Sequence, residues 1–82
     1  MYASEEKFGG QRASVGRTIV LRDGLDEDVE AGVVTKIRSD GMINITSSYS
    51  GVDYNEFQFV ETKTEADVDA LPPRSWTWPV RV

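Results

Sequence analysis

From Arg17 onward, apolar and polar residues alternate with a period of two, the signature of half-buried strands. In residues 17–22 (RTIVLR), Ile19 and Leu21 share one face, Thr18, Val20 and Arg22 the other, and Asp23 and Gly24 end the run. Residues 29–38 predict a longer strand, with Val29, Ala31, Val33, Thr35 and Ile37 on one face and Glu30, Gly32, Val34, Lys36 and Arg38 on the opposite face. Gly32 lies inside it, where a glycine marks a bulge or a close backbone approach. Ser39, Asp40 and Gly41 predict a tight hairpin turn into a return strand over 42–47, with Ile43 and Ile45 on one face. After the turn-forming SSYSG, residues 54–60 predict a fourth strand that carries Phe57 and Phe59 on one side.

The period then changes. Residues 64–71 are expected to form one or two helical turns: Thr64 caps them, acids fill the first turn, and Pro72 and Pro73 stop them. The last run, SWTWPVRV, alternates again with Trp76, Trp78, Val80 and Val82 on one face, and Pro79 predicts an edge strand because it removes a ladder donor. Residues 1–15 hold no periodicity and predict a flexible N-terminal arm, whose only large apolar groups are Tyr2 and Phe8, ahead of a single domain over 16–82. The fold expected is all-β: a small five-stranded barrel with one short helical turn before the last strand.

Five short strands with a helical turn before the last resemble the SH3-like barrels, which include the Tudor and KOW modules. The likeness is closest over residues 18–47, where a strand ending at Asp23 and Gly24, a loop, the run Gly32-Val33-Val34-Thr35-Lys36-Ile37, a turn and the strand Ile43-Asn44-Ile45 look like the KOW pattern. The resemblance implies a nucleic-acid role, which here falls on the face expected to gather Arg17, Arg22, Lys36 and Arg38, with Arg12 nearby. The loop departs from the pattern. Where KOW modules usually carry basic residues, this chain has Asp23, Asp26, Glu27, Asp28 and Glu30, which repel phosphate.

Composition narrows the chemistry further. The chain has no histidine and no cysteine, which removes the commonest general base, the commonest transition-metal ligand, the most reactive nucleophile and any disulfide. No pair of remaining groups is marked out by spacing for catalysis, so no enzyme, cofactor or metal is expected; the loop acids lack the glycine and terminal glutamate of an EF-hand. The sequon Asn44-Ile45-Thr46 falls inside a strand. A net charge of -5 disfavours nucleic acid across the whole surface and favours a protein with a basic surface, steered by the acidic loop.

Tyr49, Tyr54, Trp76 and Trp78 are the candidate aromatic anchors for such a partner, with burial in the core as the competing role for the tryptophans. In size and acidity the chain resembles phage and mobile-element accessory proteins that bind or inhibit host proteins. A homo-oligomer built through the Pro79 edge or the arm is a further expectation. The N-terminal MYASEEKFGG has acids where a signal peptide carries basic and then apolar residues, and no apolar run approaches the roughly 18 residues of a membrane span, so a cytoplasmic setting is expected.

Overall fold

The structure is a computed structural model that describes residues 7, 8, 10–38 and 42–79. Two short strands, β1 (Lys7–Phe8) and β2 (Gln11–Arg12), pair with each other. Then follow β3 (Thr18–Arg22), β4 (Glu30–Ile37), β5 (Ile43–Ser47), β6 (Asp53–Phe59), α1 (Glu65–Asp69) and β7 (Ser75–Thr77). The last five strands close into a barrel in the order β3-β4-β5-β6-β7, with β7 antiparallel to β3 and parallel to β6. This is the small all-β barrel expected, with its helix before the last strand.

Closure corrects one expectation. β7 has a neighbour on each side and ends at Thr77, so Pro79 lies beyond the ladder and costs no sheet hydrogen bond. Among the described residues, β7 therefore has no unpaired edge. Val80 and Val82, the Asp40-Gly41 turn and Tyr2 lie outside the described residues.

Ile19, Leu21, Val34, Ile43, Ile45, Phe57 and Trp76 are fully buried and fill the interior. Here β4 differs from the simple alternation. Its core face carries Gly32 and Val34, while Val29, Ala31 and Val33 look outward, half-buried or exposed. A bulge between Val34 and Lys36 then shifts the register, and beyond it Ile37 pairs with Ile43 and packs on the core. The physical reason is space: at Gly32 the methyl groups of Leu21 and Ile45 already occupy the position a Cβ would take. The glycine is thus a close-approach position, and the bulge falls three residues further on.

A second irregularity lies on β6. Two steps along β5, from Ile43 to Ile45, match three along β6, from Phe57 to Tyr54, and Glu56 takes a left-handed φ of 61°. The Asn44 side-chain oxygen accepts the Glu56 backbone N–H at 3.1 Å, which gives the residue of the sequon a structural task. The bulge turns both Tyr54 and Phe57 inward, their rings 5.2 Å apart.

Two residues of the segment expected as a mobile arm pack onto the barrel. Phe8 is buried, with its ring 5.2 Å from Trp76 and 5.5 Å from Phe59, and Ala13 is fully buried. The Phe8 carbonyl accepts the Trp78 indole N–H at 2.6 Å. The helix is capped as its sequence requires: the Asp67 N–H donates to Thr64 Oγ1, and the Asp67 carboxylate accepts the backbone N–H groups of Lys63 and Thr64. Those two backbone bonds hold the Asp67 pKa below its ordinary value. Among the described residues no helix is long and apolar enough to cross a membrane.

Candidate functional site

The acidic loop joins β3 to β4 around a turn in which the Glu27 N–H donates to the Gly24 carbonyl at 3.2 Å. Asp26, Glu27 and Asp28 are exposed, whereas Asp23 and Glu30 are half-buried at the two ends of the loop. Glu30 is held by a residue with no place among the candidate site residues. The Ser47 hydroxyl, buried at the end of β5, donates to the Glu30 carboxylate and accepts the backbone N–H groups of Tyr49 and Ser50 at 3.2 and 3.1 Å.

Ser47 thereby sets the turn that carries Tyr49. The same turn is tied to β4 by the Ser48 N–H, which donates to the Ala31 carbonyl at 3.0 Å, and closes where the Gly51 N–H reaches the Ser47 carbonyl at 3.0 Å. Gly51 has a φ of 75°, a conformation that suits glycine. The result is a Tyr49 ring that is 92% exposed yet stands on an anchored turn beside the loop acids. Glu27, Asp28, Val29, Glu30, Ala31 and Tyr49 line one groove of about 560 Å³.

Tyr54 occupies the same end of the barrel from the inside. Its phenol pKa is raised, first by burial and then by the negative field of Glu30, Asp23 and Glu27. Asp23, Glu27 and Glu30 thus all lie near enough to Tyr54 to act on its phenol. Among the described residues no group of three or more acids is gathered so as to hold a metal ion.

The other aromatic candidates lie elsewhere. Trp76 is fully buried and Trp78 is 7% exposed, their rings 5.1 Å apart in an edge-on pair within the core. They share no surface with Tyr49: Trp76 packs against Phe8 and Phe59, and the Trp78 indole is turned to the Phe8 carbonyl. Arg17 stacks on the Trp78 ring at 4.4 Å and donates to the Arg12 carbonyl and the Gln11 side chain at 3.0 and 2.7 Å.

The arginines of the expected basic face make contacts within the molecule. Arg22 stands five residues from Arg17, at the other end of β3, and donates to the Asp69 carbonyl at 2.7 Å. Arg38 pairs with Glu56 at 3.6 Å, and Lys36 is exposed beyond the β4 bulge. Arg22 is thus set apart at the far end of β3, whereas Lys36 and Arg38 follow Val34, whose N–H donates to the Arg17 carbonyl at 3.0 Å.

The signal for Ser47 was present in the chain only as one serine of a turn. What made it a positioning residue is the β4–β5 pairing, which sets Gly32 opposite Ser47 and so brings Glu30 within reach. Compared with known proteins, the chain matches no family model, no curated protein and no solved structure.

Proposed function

We propose that this chain is a non-enzymatic protein-binding module that takes a basic segment of a partner protein at its acidic end. The observation that carries the reading is the groove in which Glu27, Asp28 and Glu30 stand beside exposed Tyr49 over a floor of Val29 and Ala31. Carboxylates attract and orient a cationic segment, and an exposed tyrosine on an anchored turn supplies a rigid face for a lysine or arginine side chain. The absence of histidine and cysteine supports binding over catalysis. By size, charge and its likeness to SH3-like barrels, the chain fits a phage-type accessory protein acting on a host protein in the cytoplasm by occlusion or bridging.

A KOW-like nucleic-acid role is the competing reading, and the engagement of Arg17, Arg22 and Arg38 in intramolecular contacts weighs against it. Fluorescence anisotropy separates the two. A labelled lysine- and arginine-rich peptide is expected to bind with an affinity that falls as salt rises, while single-stranded RNA of similar length shows no retention. Tighter binding of the RNA than of the peptide would overturn the reading.

A further inference from the structure

The outward-facing apolar residues of β4 do not stand alone. Val20 of β3 is paired with Ala31 of β4, so Val20, Val29 and Ala31 form a continuous apolar strip on the outside of the barrel. α1 lies alongside it. Between helix and sheet runs a second groove of about 410 Å³, with Val20, Val29, Ala31, Val68 and Pro79 as its apolar lining and Glu65 and Asp69 on the helix side, while Glu30, also in the lining, has its carboxylate bonded to Ser47. Every charged side chain in that lining is an acid.

The walls are fixed before any ligand arrives. Arg22 reaches from β3 to the Asp69 carbonyl at the end of α1, and the Thr64–Asp67 capping box fixes its start. Arg22 is the nearby cation, and its guanidinium is turned to the carbonyls of Asp69 and Leu25. A groove already held in shape spares a ligand the cost of ordering it.

We propose that this groove receives an aliphatic side chain of the basic partner segment, while lysine or arginine residues on either side of that anchor reach Glu65 and Asp69. The inference rests on the basic-partner reading and gives that partner a sequence character: basic, aliphatic, basic. Two observations select this occupant. The all-acidic rim repels an acidic one, and a second copy of this chain, with a net charge of -5, would bring acids to acids. Val29, Glu30 and Ala31 also belong to the Tyr49 groove, so one extended segment crossing the start of β4 engages both.

Two labelled peptides with the same lysine- and arginine-rich flanks, one with isoleucine at its centre and one with serine, test this on the full chain. The isoleucine peptide is expected to bind about tenfold more tightly, the scale of burying one aliphatic side chain. Val20→Lys, which puts a cation into the apolar strip, is expected to remove that preference. Should Val20→Lys fail to fold, Ala31→Lys, at an exposed position of the same groove, carries the same expectation. Equal, salt-sensitive binding of both peptides would overturn the groove assignment and leave the basic-partner reading intact. So would a preference that survives the lysine substitution. Binding of neither peptide would overturn the basic-partner reading, and the groove assignment with it.

Discussion

Gly32→Val is expected to leave the chain largely unfolded at room temperature, and Gly32→Ala to lower its stability by about 2–3 kcal/mol. A Cβ at this position would lie 2.6 Å from Ile45 Cγ2, 2.6 Å from Leu21 Cδ2 and 3.1 Å from the Thr46 carbonyl oxygen. Both side chains are fully buried, so neither has open space in which to retreat. The demand is for an absent side chain, since Gly32 is not among the residues with positive φ. A domain of this size has roughly 5–10 kcal/mol of total stability, and valine adds two further methyl groups to the clash. Thermal unfolding followed by circular dichroism should show the alanine variant melting about 10–20 °C lower. An unchanged midpoint would mean that Leu21 and Ile45 repack freely, contrary to the packing described.

Trp76→Ala is expected to cost about 3–5 kcal/mol, the range for deleting a large buried aromatic side chain. The indole is fully buried and meets three rings: Phe59 at 4.9 Å, Trp78 at 5.1 Å and Phe8 at 5.2 Å. It also links the β1–β2 hairpin to the barrel, because the Phe8 ring leans on it. The loss should therefore appear twice, as a lower denaturant midpoint and as faster amide exchange at β1 and β2 than in the parent chain. Trp76→Phe should cost much less. It keeps an aromatic ring in the cluster and removes an indole N–H that is buried without a hydrogen-bond partner. A midpoint for the alanine variant close to that of the parent chain would place Trp76 outside the core.

The strands were legible because Ile19 with Leu21, Ile43 with Ile45, and Phe57 with Phe59 keep a period of two over the stretch that matters. α1 was legible because Thr64, Asp67 and Pro72 act locally. The orientation of β4 was not. Its more apolar set, Val29, Ala31 and Val33, faces outward, because the interior at Gly32 is already filled from β3 and β5 and the bulge after Val34 returns only Ile37 to the core. No count of apolar residues along one strand contains that information, which belongs to its neighbours.

The site divides along the same line. The acids of the loop are adjacent in the chain and were visible there; that Tyr49 joins them, and that Trp76 and Trp78 do not, follows from the Ser47 anchor and from the packing of the tryptophans in the core. Glu65 and Asp69 joined the acidic surface only when α1 settled beside the outer face of β3 and β4.

The proposed function has the loop carboxylates draw in a basic partner. Its most direct test is the association rate of a labelled lysine- and arginine-rich peptide, measured by stopped-flow at low and at high salt, for the parent chain and for Asp26→Asn, Glu27→Gln, Asp28→Asn combined. All three side chains are exposed, so the variant should keep the fold. Association with the neutralised loop is expected to be about tenfold slower at low salt, with the two chains converging at high salt as screening removes the steering. An association rate at low salt unchanged by the three substitutions would show that the loop steers no basic partner.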